Sequence, residues 1–336
     1  TLEHPAAWQS VSNGAERDRV RTGDRVRVRF DETQPLPTYV VAFVVGDMKV
    51  ETATRGGRTM RMFHRENDAA KLARNRDALF DLHAQAIEEV ERYTGIPYPF
   101  GKFDFVLVPA FQPGAMEHAG NIAYKAESLL LDETATQDEL LDRAHVIAHE
   151  TVHMWFGNLV TMRWFNDVWT KEVFANFIAD KIVATQFPQM RHDLQFFLGN
   201  HGWAYAVDRS AGANPIRQPL DNLSEAGSLY GPIIYSKSPV VMRQLEALLG
   251  EAVFRDGVRA YLRRHAFGNA TWDDLIAALA GSTKLDLKQW SHMWIDEPGR
   301  PVIRTELEVK DDRVQRLVLQ QRDPLGRNRV WPQQLR

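Results

Sequence analysis

The apolar positions change period along the chain, and the changes divide it into strand-like and helix-like stretches. Over residues 1–50 polar and apolar residues alternate, so Arg25–Phe30 and Tyr39–Val45 are expected as strands. Asp77–Thr94 switches to helical spacing, with Leu79, Leu82, Ile87 and Val90 on one side. The apolar, β-branched run Lys102–Ala110 predicts a strand that Phe111-Gln112-Pro113-Gly114 breaks, which puts Glu117 on a following edge segment, and Ile122–Leu131 reads as an edge. From residue 136 the pattern is almost wholly helical, through Leu194–Ala206, Val240–Leu249, Val253–His265, Trp272–Ala280 and Leu285–Trp294. At the far end Val302–Val309 and Val314–Gln320 alternate around Asp311-Asp312, the pattern of a hairpin.

Composition narrows this picture only a little. At 336 residues and 44% hydrophobic, the chain can fill two domains, or one large domain with appendages. A net charge of −3 implies no preference for nucleic acid or membrane. The basic stretch Arg17–Arg29 is interrupted by Asp18 and Asp24 and reads as a solvated strand face. No signal peptide, repeat or long apolar segment is visible. The absence of Cys excludes thiolate metal sites and is compatible with cytoplasm or periplasm.

Chemistry concentrates at His149-Glu150-Thr151-Val152-His153, followed after eighteen residues by Glu172. Two His four apart on a helix project from one face, so both imidazoles reach one ion, with Glu150 beside the water it activates. Thr136-Gln137-Asp138-Glu139 reads as a capping box that starts this helix, and Gly157-Asn158 is a plausible stop. A second helix is expected from about Asn166 to Gln186, with Asn166 or Asp167 at its N-cap and Glu172 in its second turn. Two His and one Glu with an open fourth position form the ligand set of a catalytic Zn2+ rather than a structural one. His145, one turn earlier, is read as a packing residue or a support for the ligands rather than a ligand. Trp155, Trp164, Trp169 and Phe174 are expected in the core.

With these residues in view, the chain resembles the aminopeptidase N family of zinc metallopeptidases, the thermolysin-like group that includes leukotriene hydrolase. The zinc motif lies in His153-Met154-Trp155-Phe156-Gly157-Asn158-Leu159-Val160-Thr161, close to the family's H-x-W-F-G-N-L-V-T. Gly114-Ala115-Met116-Glu117-His118 resembles its G-x-M-E-N exopeptidase motif, and Tyr235-Ser236-Lys237-Ser238 its Y-x-K-G. The resemblance implies zinc held by His149, His153 and Glu172, Glu150 as general base and Tyr235 as donor to the developing oxyanion. Glu117 would hold the α-ammonium of a peptide substrate with a free N-terminus, and Gly114, Ala115 and Met116 would orient its backbone. Three departures stand out: His118 for the usual Asn, Ser238 for Gly, and Trp169-Thr170-Lys171-Glu172-Val173-Phe174-Ala175 for W-L-N-E-G-F-A. The lost Asn at Lys171 directs attention to Asn176, one turn later, as a substitute support for the site.

The resemblance also implies the fold class, α+β: a thermolysin-like catalytic domain over residues 51–301, with a small mixed sheet lobe and a helical lobe. Residues 1–50 would be the end of an N-terminal β-domain and 302–336 the start of a β-sandwich domain, both cut short. The expected reaction is removal of single N-terminal residues. A thermolysin-like endopeptidase, an epoxide hydrolase on the same zinc site and a catalytically incomplete fragment remain as alternatives. No residue can be assigned the acidic role that the family's N-terminal domain plays in holding the amine.

Overall fold

A computed structural model describes residues 1–334; the last two positions of the 302–336 segment lie outside the described residues. The protein mixes helices and strands and divides into two compact units. The first contains Thr1–Arg163, Phe174–Met190 and Arg259–Ala270, and the second contains Trp164–Val173, Arg191–Val258 and Thr271–Arg336.

The N-terminal strands of the first unit are β1 (Leu2–Pro5), β2 (Gln9–Ser12), β3 (Glu16–Thr22), β4 (Arg25–Phe30) and β5 (Phe43–Gly46). They form an antiparallel β1-β4-β3 sheet and a β2-β5 pair. Arg19 pairs with Glu16 within β3 and Arg29 of β4 pairs with Asp18 of β3, as the interrupted basic run leads one to expect. Tyr39–Val45, expected as one strand, is instead a 3-10 turn at Thr38–Val40 followed by the shorter β5. The cause is tertiary: Asn13 accepts from Ala42 N at 2.8 Å and donates to Val40 O at 3.0 Å, removing both groups from any ladder.

A five-stranded sheet follows, built from β6 (Lys49–Arg55), β7 (Arg58–His64), β8 (Phe103–Val108), β9 (Ala115–Met116) and β10 (Ile122–Lys125). Its order is β6-β7-β8-β10-β9, with β7, β8 and β10 parallel and both outer strands antiparallel to their neighbours. The segment expected as an edge is therefore internal, and it ends at Lys125 in a short helix, α2 (Ala126–Leu129). The edge position falls to β9, whose two residues are too few to show a period.

Helix α1 (Ala69–Thr94) covers one face of this sheet, with Phe80 edge-on to Phe105 at 5.5 Å and His83 stacked on Phe105 at 4.1 Å. It starts before the expected Asp77 because Asp68 caps it, accepting from Ala70 N and Lys71 N, while its first turns are too polar to show periodicity. Strands β2 and β5 pack on the opposite face, where Val11 joins Phe63 and Val106 and Val44 closes the cluster. Helix α3 (Gln137–Val152) lies beside α1; Leu141 and Ala144 pack with Val183 of α4 (Val168–Gln186) and with Leu82. Strands β11 (Val160–Met162) and β12 (Gly268–Ala270) form a small parallel pair.

The second unit is mainly helical. Helices α5 (His192–Phe196) and α6 (Gly202–Asp208) are joined by a wider π-helical turn at Phe197–His201. Beyond them come α7 (Ser238–Leu249), α8 (Glu251–His265), whose residues from Arg259 on belong to the first unit, α9 (Trp272–Ala280) and α10 (Leu287–Ser291). Thr271 and Asp274 form a capping box at the start of α9. Strands β13 (Val302–Lys310) and β14 (Arg313–Arg322) make the expected hairpin, and Asp311 and Asp312 take φ of 51° and 56°, the geometry of a tight type I′ connection. Among the described residues no helix is long and apolar enough to cross a membrane.

Candidate active site

The metal motif begins with a well-formed helix. Thr136 accepts from Glu139 N while the Glu139 carboxylate accepts from Thr136 N, so the capping box read from the sequence is present at the start of α3. Along this helix Leu141, Ala144, Ile147 and Ala148 face the core, which leaves His149 and Glu150 in its final turn. The helix stops at Val152, before the expected Gly157-Asn158, and His153 is its C-cap. A run of tight turns follows, in which Asn158 N and Leu159 N donate back to His153 O and Met154 O.

Both imidazoles are held by their Nδ1 atoms. His149 Nδ1 lies 2.8 Å from Asn176 Oδ1, and His153 Nδ1 lies 2.9 Å from the Phe156 carbonyl. Asn176 therefore takes the supporting position suggested by its spacing from Glu172. With an oxygen acceptor at each Nδ1, the neutral rings carry their proton there and their lone pair on Nε2. The two Nε2 atoms are 3.0 Å apart. Two lone pairs facing each other at that distance repel unless a cation lies between them. His149, His153 and Glu172 each offer a ligand atom, and all of these atoms fall within 4.8 Å of one another. Two imidazole nitrogens and a carboxylate without thiolate suit a catalytic zinc ion.

Lys171, at the position of the missing Asn, is buried with its Nζ 2.5 Å from Glu172 Oε1. One carboxylate oxygen is thus engaged by the ammonium. His145 Nε2 sits 3.3 Å from Asp180 Oδ1. Burial opposes its charge, but the hydrogen bond and charge of Asp180 outweigh burial and raise its pKa.

A second group surrounds His153. Glu117, Glu150 and His153 are all buried and offer ligand atoms within 4.8 Å of one another. Glu117 directly follows the edge strand β9, which Gly114, at φ 86°, allows the chain to enter by a tight turn. Ala115 and Met116 pair with Tyr124 and Ala123, and the Glu117 carbonyl accepts from Asn158 Nδ2 at 2.8 Å. The Tyr124 phenol donates to His83 Nε2 at 3.1 Å; burial first, then the negative Glu150, pushes its pKa well up. Burial drives the His118 pKa down against the pull of Glu117.

Tyr235 stands in the second unit, in the π-helical turn Ile233–Lys237 that runs directly into α7 rather than in a loop. It is 38% exposed, and its ring stacks on Tyr230 at 6.1 Å. Lys237 is buried and donates to Asp208 Oδ1 at 2.8 Å and to the Gly299 carbonyl at 2.9 Å, fixing the turn that carries Tyr235. Ser238, where the family has Gly, is buried and donates to the Ile234 carbonyl. Trp155, Trp169 and Phe174 lie in the core as expected, but Trp164 is 42% exposed, with its indole donating to Leu220 O. It lies at a turn before α4, where helical spacing does not apply. Sequence reasoning missed Tyr39 and Asn13, which touch Glu117 and the backbone beside it; neither lies in a motif, and no local signal links them to it.

A model of the peptidase family M1 domain matches residues 79–294. The chain is 33% identical over 310 residues to "Aminopeptidase M1-A" of Oryza sativa subsp. japonica, covering 92% of this chain and 35% of that protein. It is 33% identical over 321 residues to "Aminopeptidase N" of Streptomyces lividans, covering 94% and 36%. To "Puromycin-sensitive aminopeptidase" of Caenorhabditis elegans it is 34% identical over 284 residues, covering 84% and 30%. The chain thus spans about a third of the length of these relatives.

Proposed function

Because this chain belongs to peptidase family M1, we propose that it carries the catalytic core of a zinc-dependent aminopeptidase that removes single N-terminal residues from peptides. The observation that carries this reading is the pair of imidazoles fixed through Nδ1, with both Nε2 atoms turned to one point beside Glu172, Glu150 and Glu117. The names of the relatives support the same activity. In this reading residues 51–301 form a thermolysin-like catalytic domain, flanked by parts of two β-domains at 1–50 and 302–336.

His149, His153 and Glu172 would hold the zinc ion, with Asn176 and the Phe156 carbonyl fixing the two rings. Bound there, the ion supplies Lewis acidity toward a water and the scissile carbonyl. Glu150 takes the proton of the attacking water and returns it to the leaving amine. Glu117 binds the substrate α-ammonium, so the first peptide bond alone reaches the centre, and the backbone of Gly114, Ala115 and Met116 orients the peptide along the β9 edge. Tyr235 donates to the developing oxyanion.

The test is hydrolysis of Leu-, Ala- and Arg-aminoacyl fluorogenic substrates against their N-acetylated forms, with zinc supplied or chelated. Zinc-dependent cleavage confined to free amines is expected. Equal cleavage of both sets would refute the amine anchor and favour an endopeptidase, and cleavage indifferent to chelation would refute the metal.

A further inference from the structure

We infer that Tyr39 is part of the pocket that receives the substrate α-ammonium, its phenol orienting the Glu117 carboxylate and offering its own oxygen to the cation. The inference rests on the proposed role of Glu117 and adds to it a group from the N-terminal segment.

Tyr39 lies 78 residues before Glu117, yet its hydroxyl is 3.3 Å from Glu117 Oε1 and 3.4 Å from the Gly157 carbonyl. A phenol has one proton and faces two acceptors here, so it donates to one of them, and a phenol oxygen is chemically able to accept as well. An α-ammonium has three N–H groups and loses its water on entering a buried pocket. One carboxylate does not satisfy all three, and a buried donor left unsatisfied costs affinity. Glu117 also stands close to Glu150.

The placement is built into the fold. Asn13 donates to Val40 O at 3.0 Å and to Ala119 O at 2.9 Å, and accepts from Ala42 N at 2.8 Å. One side chain therefore ties the segment holding Tyr39 to the segment holding Glu117. Gly120 permits the close approach: a Cβ there would sit 2.5 Å from Asn13 O, and its φ is +68°. Tyr39 thus meets Glu117 before any substrate arrives, and less ordering is left to binding.

The experiment is calorimetric titration of the zinc-loaded chain with leucinamide and N-acetyl-leucinamide, for the unaltered protein, Tyr39→Phe and Glu117→Ala. Removal of a hydrogen bond to a charged group predicts leucinamide binding weaker by about tenfold in Tyr39→Phe, with N-acetyl-leucinamide unchanged. Where the chain turns over substrate, the loss should appear in KM for free-amine substrates, with kcat nearly kept. Leucinamide affinity within about twofold of the unaltered protein, or equal loss for both ligands, overturns the inference. If Glu117→Ala binds leucinamide as well as the unaltered chain does, the amine-anchor reading itself fails; loss in Glu117→Ala without loss in Tyr39→Phe rejects Tyr39 alone.

Discussion

Asn176→Ala should weaken zinc binding without unfolding the chain. Asn176 is only partly buried and accepts from His149 Nδ1 at 2.8 Å, while the other ring, His153, is held by a main-chain carbonyl that no substitution removes. Losing the acceptor lets His149 adopt the tautomer with its proton on Nε2, where the lone pair is needed, and lets the ring turn about its side-chain bonds. Loss of such a partner typically costs about 10- to 100-fold in metal affinity, equivalent to about 1.4–2.8 kcal/mol. Asn176→Asp keeps an acceptor at the same reach and should bind zinc at least as tightly as the unaltered protein. Competition with a chromophoric chelator measures the zinc Kd, and far-ultraviolet circular dichroism checks the fold. A Kd for Asn176→Ala within about twofold of the unaltered value would refute the argument that this hydrogen bond sets the His149 tautomer.

Glu150→Gln should retain zinc but lose about 10²- to 10⁴-fold in kcat, the range for removing a general base, in steady-state assays with free-amine substrates. Asp208→Ala strands the buried Lys237 ammonium, so urea unfolding should show a loss of about 3–5 kcal/mol; a loss near zero would mean that the lysine escapes to water. Burial depresses His83 to about 4, below its ordinary 6.5. The unfolded chain then binds the extra proton between those values, so this contribution is full above pH 6.5 and falls by about 3 kcal/mol as pH drops to 4. His83→Gln should flatten that part of the stability–pH curve, and an unchanged slope would assign it to other groups. The exposed Leu307 and Leu317 lie opposite each other on the β13–β14 hairpin. Leu307→Lys with Leu317→Glu should reduce self-association in sedimentation velocity, as expected where an exposed apolar strand face drives it.

Much of the site was legible because its signals are local. The capping box at Thr136 and Glu139, the i,i+4 spacing of His149 and His153, and the step of one turn from Glu172 to Asn176 depend on helix geometry alone, which neighbouring residues determine. The hairpin at Asp311-Asp312 and the helix at Trp272–Ala280 were equally readable, the first from its turn and the second from its apolar spacing. Other features depend on residues far apart in sequence. Tertiary structure placed β10 inside the sheet, against the edge expected for Ile122–Leu131, since strand order follows from packing and not from the period of a segment. It also turned Thr38–Val40 out of the expected strand, because Asn13 claims the backbone groups on either side of Val41. The contact of Tyr39 with Glu117 is of the same kind. Periodicity and capping report hydrogen bonds a few residues apart, whereas a contact across 78 residues arises only when the sheet and the segments packed on it bring both ends together.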